Sequence, residues 1–359
     1  MPAHHTNKTN IGHGIELIMK GIKPDRPLVW YWGAVPAFAV KDAGYGAEVA
    51  YNDPERAFLA QTRAIEIYDI DNIPIIAVGG ASDLTWAFGG KIKWPSGRYE
   101  MAPVPVHYPV ADERGAKILS VPEDIDSTGP IPLYRDFSDL QKLHGLPVTI
   151  FITSPLEGAR SLCGPEKLMR WMIKRPDLFA RLMAIATEYS IRIARLWARR
   201  YDPRRIMVYL TAPTSSSQMI SPVQFEKFVF PFQKELHEKI LDAGINTIFC
   251  HICGDHNLNM PYWARIPMGE NGIVSIGHEV DISRAVEYFG QKSVIAGNIE
   301  PAAILQSSPE EVYHLCIAAL EKGGKARRGH ILMPGCGLPP QVKSKNLHML
   351  KKAVTEYFT

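Results

Sequence analysis

Short apolar runs alternate with amphipathic stretches along most of this chain. Near-continuous apolar runs of this length are typical of parallel strands that are buried on both faces. The pattern predicts eight strands, at residues 28–32, 73–78, 148–153, 206–210, 247–251, 273–276, 293–296 and 330–333.

Helix signals lie between these runs. Ser221-Pro222 combines an N-cap residue with proline at the first helical position, and an apolar face follows it to Ile240. Ser308 and Glu311 form a predicted capping box at the start of another helix. The helical pattern over residues 165–201 contains Pro176, which predicts two helices rather than one.

Strands that alternate with helices predict an α/β fold with a parallel sheet. Eight strands favour a (β/α)8 TIM barrel that comprises residues 1–359 as one domain, with residues 1–25 as an N-terminal arm or cap. Residues 89–147, rich in proline and charge, predict elaborated loops over the C-terminal face, with a hairpin among them. A doubly wound open sheet is the alternative, but no G-x-G-x-x-G follows the first strand.

Composition excludes several classes of function. With 359 residues, 46% of them hydrophobic and 21% charged, the chain is expected to form a soluble core. A formal charge of +3 without a long basic run argues against nucleic acid as a partner, although the basic cluster at residues 199–205 could dock an acidic one.

No membrane or export segment is expected. The longest near-apolar run, residues 29–40, is too short to span a bilayer and contains Pro36, and the polar N-terminus lacks the apolar core of a signal peptide. Five cysteines without such a signal argue against a disulfide framework. We therefore expect a cytoplasmic protein with free thiols.

Polar side chains cluster where the predicted strands end, which is where barrel enzymes place their chemistry. The candidates at these ends are Asp83, Thr153, Ser154, Tyr209, Gln218, His251, Cys253, His278, Glu279, Asn298, Glu300 and Cys336.

Two of the strand ends carry thiols. His251 and Cys253 are two residues apart, so their side chains point the same way in an extended segment, and Cys336 follows another strand. Together they form a nitrogen–sulfur set that suits zinc and leaves a fourth position open. The residue spacing supports two interpretations equally well. Cys253 and Cys336 are either zinc ligands or small buried side chains, and the second is what we expect of Cys163, Cys250 and Cys316. A redox pair of Cys250 and Cys253 lacks a thioredoxin-like context.

Several motifs resemble those of the uroporphyrinogen decarboxylase superfamily, and within it the zinc- and corrinoid-dependent methyltransferases. The stretches that carry the resemblance are SQMISPVQFEKFVFP at 217–231, FCHICGD at 249–255, AGNIEP at 296–301, MPGCGLPP at 333–340 and, more loosely, ASDLTWAFGG at 81–90. The resemblance implies a (β/α)8 barrel that holds zinc through His251, Cys253 and Cys336.

The resemblance also implies an activity. It predicts methyl transfer between a corrinoid such as methylcobalamin and a small substrate, most simply a zinc-bound thiol such as coenzyme M, or in the reverse direction from a methylated substrate to reduced corrinoid. No D-x-H-x-x-G stretch is present, so the corrinoid is expected on a separate protein. Glu279 or His278 is the candidate fourth ligand.

Four residues are predicted to line the mouth and contact substrate. They are Asp83, Tyr209, Gln218 and Asn298. For each of them, a role as a strand-end cap is the alternative.

Two other functions stay open at this point. A metal-free decarboxylase would use Asp83, which resembles that enzyme's essential aspartate, but the chain has no arginine between Arg26 and Arg56 to bind porphyrin carboxylates. A non-catalytic barrel with a structural zinc would need a fourth protein ligand.

Overall fold

The computed structural model describes residues 11–31, 34–76, 82–96, 100 and 102–358. Its main sheet is entirely parallel, with seven strands in the order β1-β9-β8-β7-β6-β5-β4. The strands of this sheet are β1 (Leu28–Val29), β4 (Val148–Thr153), β5 (Ile206–Thr211), β6 (Thr247–Ile252), β7 (Ile273–Ile276), β8 (Val294–Ile299) and β9 (His330–Pro334).

The sheet closes into a barrel. In a flat sheet β1 and β5 would lie about 24 Å apart, because five inter-strand steps of about 4.8 Å separate them. The ring of Trp30, which follows β1, is instead 6.2 Å from the ring of Tyr209 on β5 and 5.5 Å from that of Phe249 on β6. These side chains therefore meet across the barrel interior, and the predicted (β/α)8 fold is confirmed.

The predicted strand at residues 73–78 is wrong over its described part. Residues 73–76 lie between β1 and β4 without a strand ladder. Side chains replace the ladder: the Gln61 amide both donates to Ile75 O and accepts from Ile75 N, and Gln141 donates to Pro74 O. Proline at 74 also removes a donor that a ladder would need. Residues 77 and 78 lie outside the described residues.

Helices surround the barrel. They are α1 (His13–Met19), α2 (Ala34–Asp42), α3 (Val49–Asn52), α4 (Pro54–Tyr68), α5 (Asp83–Ala87), α6 (Glu113–Ile118), α7 (Ile131–Leu143), α8 (Pro155–Cys163), α9 (Pro165–Lys174), α10 (Pro176–Arg200), α11 (Pro222–Gln224), α12 (Phe230–Asp242), α13 (Met260–Trp263), α14 (Ile282–Phe289), α15 (Pro301–Gln306), α16 (Pro309–Gly323) and α17 (Ser344–Tyr357). A π-helical turn, Phe225–Val229, joins α11 to α12.

The helix signals are confirmed. Ser221 and Ser308 cap α11 and α16 through capping boxes with Gln224 and Glu311. The helical pattern over 165–201 is broken before Pro176 into α9 and α10.

Residues 89–147 contain the expected hairpin. Strands β2 (Lys91–Lys93) and β3 (Val104–His107) pair antiparallel, and the chain that follows packs on α8 through Val110 N and Leu162 O. The amphipathic α7 lies at the end of this stretch, and its proline-rich start hid it from the sequence pattern.

The predicted arm contributes α1, which buries Ile15, Ile18 and Met19. Asn271, before β7, donates to Met19 O, so α1 covers the N-terminal face of the barrel. Residues 1–10 lie outside the described residues, and the one-domain assignment stays a prediction. Among the helices that the structure describes, none is long and apolar enough to cross a membrane.

Candidate metal centre

The carboxyl ends of β6 and β9 bring a histidine and two cysteines together. His251 is the penultimate residue of β6, Cys253 follows that strand directly, and Cys336 follows β9 by two residues. The nearest ligand atoms of the three residues lie within 4.8 Å of one another, and the two Sγ atoms are 3.4 Å apart. Residues 83 positions apart in sequence thus form one cluster.

This cluster fits zinc. Thiolate and imidazole ligands select zinc over harder cations, and tetrahedral zinc with Zn–S of about 2.3 Å separates its ligand atoms by about 3.5 to 3.8 Å. The Sγ–Sγ distance of 3.4 Å is close to that spacing, and no pair of ligand atoms is more than 4.8 Å apart. Three ligands within one described cluster leave a coordination position for a substrate.

Ser275 fixes the orientation of the imidazole. It is the β7 residue in register with His251, and its Oγ lies 2.9 Å from His251 Nδ1. Both residues are buried. Because Nδ1 is engaged by the hydroxyl, Nε2 is the nitrogen that is directed towards the thiols, as in metal sites whose histidine is held through its other nitrogen.

Replacing Ser275 by alanine is expected to weaken zinc binding about tenfold or more, because the imidazole loses the partner that fixes its orientation. Chelator competition measures this affinity. Ser190→Ala is the matched control, since it removes a buried hydroxyl that donates to Thr153 O. Equal zinc affinity in Ser275→Ala and wild type would contradict the role of Ser275.

Two hydrogen bonds of the His256 ring fix the backbone at Cys253. Trp263 Nε1 donates to His256 Nδ1 at 3.0 Å, so the remaining proton of His256 lies on Nε2, which donates to Cys253 O at 3.2 Å. Burial lowers the pKa of His256 to about 4, which keeps the ring neutral. The local sequence gives no signal of this contact, because Trp263 is seven residues from His256.

The two thiols behave as a pair that shares a proton. The hydrogen bond from Cys253 lowers the pKa of Cys336 well below its usual range, and the imidazole of His251 acts in the same direction. That hydrogen bond, together with burial, raises the pKa of Cys253. One thiolate therefore forms readily, whereas the second needs a cation nearby, as a metal would provide.

Glu157 is a buried acid beside the cluster that sequence inspection missed. Its two carboxylate oxygens accept from Thr214 N at 2.6 Å and from Arg160 Nε at 2.9 Å, so it ties α8 to the loop after β5. Its charge also contributes to the raised pKa of Cys253, after the larger effects of Cys336 and burial. Its helical position, i and i+3 with Arg160, predicts only a surface ion pair.

The two candidate fourth ligands differ in placement. Neither belongs to the described three-residue cluster. His278 is exposed between Glu279 and Glu300, with its nitrogens 3.5 and 3.9 Å from their carboxylates. Glu279 is nearer the thiols, because its charge contributes to the pKa of Cys253 and its Oε2 lies against Gly277. A fourth-ligand role stays a prediction, with Glu279 the better placed.

The other predicted contact residues lie at different depths. Tyr209 is buried one layer beneath His251, stacked on Phe249 at 4.6 Å. Gln218 is exposed, with its Oε1 close to Gly254 beside Cys253. Asn298 uses its amide to donate to Gly277 O and Val280 O, which fixes the loop after β7. Substrate contact by these residues stays a prediction, and Gln218 is the most accessible of them.

Asp83 is buried on α5, where its Oδ2 accepts from the Tyr134 hydroxyl at 2.7 Å. Its Oδ1 has no hydrogen-bond partner within the described ranges. Burial raises the pKa of Asp83 to about 7, although the Tyr134 hydrogen bond opposes the shift. A substrate role for this carboxyl also stays a prediction.

The raised pKa of Asp83 makes stability depend on pH. A carboxyl that binds its proton more tightly in the folded chain favours folding at low pH, and this contribution is lost as pH rises from about 4 to about 7. Asp83→Asn removes the charge but keeps an acceptor for Tyr134. Its unfolding free energy, relative to wild type, is expected to rise by about 2 to 3 kcal/mol between pH 5 and pH 8.

Urea denaturation of both chains at the two pH values measures this change. Asp136→Asn, at an exposed position on α7, is the control and should show almost no such rise. A constant difference between Asp83→Asn and wild type would contradict the raised pKa.

The comparisons with known proteins agree with this fold. A solved methyltransferase from Methanosarcina mazei superposes with a TM-score of 0.81 at 21% identity, covering 97% of this chain and 99% of that one. This likeness shows a shared fold.

Sequence relatives include methyltransferases and decarboxylases. A methylcobamide:CoM methyltransferase from Methanosarcina barkeri is 27% identical over 218 residues, 59% of this chain and 59% of that protein. The match thus spans about three fifths of that relative's length. A uroporphyrinogen decarboxylase from Nocardia farcinica is 24% identical over 94% of each chain. The sequence profile of the family uroporphyrinogen decarboxylase (URO-D) matches residues 14–357, and this chain therefore belongs to that family.

Proposed function

We propose that this chain is a zinc-dependent methyltransferase that moves a methyl group between a corrinoid on a separate protein and a small thiol such as coenzyme M. The observation that carries the proposal is the cluster of His251, Cys253 and Cys336 at the carboxyl ends of β6 and β9. Methylcobamide and CoM appear in the names of several relatives, which supports the same reaction.

The three ligands explain how the site would serve this reaction. When bound there, zinc would lower the pKa of a coordinated substrate thiol, while two thiolates and one neutral imidazole keep the substrate sulfur nucleophilic. Ser275 fixes the imidazole, and His256 fixes the backbone at Cys253. His251 is only 1% exposed, so the buried wall excludes water from one side of the site. Positioning and water exclusion are what methyl transfer requires, because no proton moves to carbon.

The proposal places the reaction in the cytoplasm, where thiols stay reduced. All five cysteines are free, and Cys250 is buried on the opposite face of β6 from His251. The direction of transfer is part of the test, since a methylated substrate could instead donate to reduced corrinoid.

Metal analysis combined with a methylcobalamin assay tests the proposal. The chain should hold about one zinc ion and should demethylate methylcobalamin in the presence of coenzyme M or another small thiol. The spectral change of the corrinoid reports turnover. A folded chain that binds no zinc contradicts the proposal. Bound zinc without turnover in either direction would favour a structural metal.

Metal-free decarboxylation is the second candidate, because Asp83 is a buried carboxyl with one oxygen that has no hydrogen-bond partner among the described residues, and relatives that match over nearly the full length include a decarboxylase. A porphyrinogen carries several carboxylates, and no arginine lies between Arg26 and Arg56 to bind them. Loss of carboxyl groups from uroporphyrinogen, with a chelator present, would support this candidate against the methyltransferase.

A further inference from the structure

A groove runs along the outside of the barrel between α12 and α14, with a volume of about 940 Å³. Residues 264–270 line it, and α12 contributes Phe230, Lys234 and Leu241. The groove exists because the chain between β6 and β7 forms only the four-residue helix α13, whereas the flanking helices α12 and α14 have 13 and 8 residues.

Positive charge dominates this groove. Among the described residues that line it, the cations are Lys234, Arg265, Lys292, Arg327 and Arg328, and the one acid is Glu270. An adjoining cavity of about 650 Å³ shares Arg328 and Glu270 and includes part of the basic cluster noted in the sequence. The charged side chains that this cavity adds are Lys20, Arg204, Arg205, Glu16 and Asp202.

Among the described residues, the two cavities are lined by eight cations and three acids, a net charge of +5. Two further acids adjoin this lining, since Glu238 pairs with Lys234 and Glu226 with Arg265. The whole chain carries only +3, so the rest of the molecule is net negative. Positive charge is therefore concentrated on this face rather than spread over the surface, and it favours an acidic partner.

Several of these cations are available to a ligand. Lys292 and Arg327 are exposed, and within the described chain neither forms an ion pair. Arg328 donates to carbonyl oxygens and to the amide of Asn271 instead of to a carboxylate. Arg265 is less available, because it lies over the ring of Phe230 at 4.6 Å and 4.0 Å from a carboxylate oxygen of Glu226. Acidic groups of a partner would thus meet Lys292, Arg327 and Arg328, which no acid of the described chain pairs with.

The groove also exposes apolar surface among the charges. Phe230, Leu241 and Tyr288 are half-buried in its walls. From Phe230 to Leu241, α12 extends about 16 Å, which equals three turns of helix. A bare phosphate chain would leave this apolar surface uncovered, whereas an amphipathic helix would cover it and place acids at the cationic rim.

We propose that this groove binds an acidic amphipathic helix of a partner protein, in the space that a longer helix between β6 and β7 would occupy. The groove is lined by residues that precede β7, β8 and β9, whereas the metal cluster lies at the carboxyl ends of β6 and β9. The partner would therefore bind near the N-terminal ends of the strands and leave the metal site accessible. This inference does not depend on the proposed methyl transfer.

The test uses a fluorescein-labelled synthetic peptide of about fourteen residues, with leucine on one helical face and glutamate on the other. Fluorescence anisotropy against the full chain reports binding, which should weaken with added salt. Lys292→Glu combined with Arg327→Glu is expected to weaken binding at least about tenfold. Lys292→Gln with Arg327→Gln should give a smaller loss in the same direction.

The matched control is Arg170→Glu with Lys174→Glu, which changes the charge equally at exposed positions of α9 outside both cavities. Its peptide affinity should stay within about twofold of the wild-type affinity, because salt screens charges that lie far from the groove. Thermal unfolding confirms that each variant is folded.

Four outcomes would overturn the proposal. The first is equal binding of a scrambled peptide of the same composition, which would indicate charge without amphipathic recognition. The second is equal weakening by the α9 control. The third is full competition by an oligonucleotide of equal charge, which would indicate a general polyanion site. The fourth is self-association of the chain that the Lys292→Glu and Arg327→Glu variant abolishes, since the groove would then bind a second copy.

Discussion

Cys336→Ser is expected to lower zinc affinity at least about a hundredfold, because a neutral hydroxyl replaces one of two thiolates in a three-ligand set. Cys253 would then have lost the partner that lies 3.4 Å from its sulfur. Corrinoid-dependent turnover should fall with bound zinc, to about 1% of wild type or less. Metal analysis after dialysis and the methylcobalamin assay measure the two effects in the same samples.

Cys250→Ala is the matched control for this prediction. Cys250 belongs to the same strand as His251 but is fully buried, and burial raises its pKa, so its thiol stays protonated. The variant should keep its zinc and lose only packing energy, about 1 kcal/mol. If Cys336→Ser retained stoichiometric zinc and activity, the cluster would not be the metal site.

Gln61→Leu is expected to lower the free energy of unfolding by about 2 to 5 kcal/mol, the largest stability effect that we predict from a polar side chain. Gln61 is fully buried, and its amide is the partner of both the N–H and the C=O of Ile75 at 2.8 Å. Leucine has a similar volume but leaves both backbone groups buried without a partner. Urea denaturation monitored by circular dichroism measures the loss.

Gln306→Leu provides the comparison, because Gln306 is exposed at the end of α15. Its effect should stay within about 0.5 kcal/mol. If Gln61→Leu lost as little stability as Gln306→Leu, water or a rearranged segment would have to satisfy the backbone of Ile75. The Gln61 side chain would then not replace a strand ladder.

The segment at residues 73–76, which contains Ile75, was predicted to be a strand and is not one. The run over residues 73–78 is as apolar as the strands on either side, so periodicity predicted another strand. Two glutamines, Gln61 and Gln141, instead satisfy its backbone from neighbouring helices. Hydrophobicity reports that a segment is buried, but it does not report which groups satisfy the backbone.

In the candidate metal site, the sequence indicated the ligands but not the residues that support them. His251 and Cys253 were apparent from local spacing, and the motif around Cys336 pointed to the third ligand. Ser275, which contacts His251, and Trp263, which contacts His256, carried no local signal. Ser275 contacts His251 because of strand register, and register follows from the packing of whole strands.

The sequence by itself determined the parallel α/β fold, most strand positions, the capped helices and the identity of the three thiol and imidazole side chains. These features depend on period, on local capping chemistry and on residue type, which a linear sequence records directly. Only the tertiary structure decided that the Cys253 and Cys336 sulfurs lie 3.4 Å apart, that Asp83 is buried with a raised pKa, and that cations gather along one groove. Each of these depends on distances through space between residues remote in sequence, and closure of the barrel sets those distances.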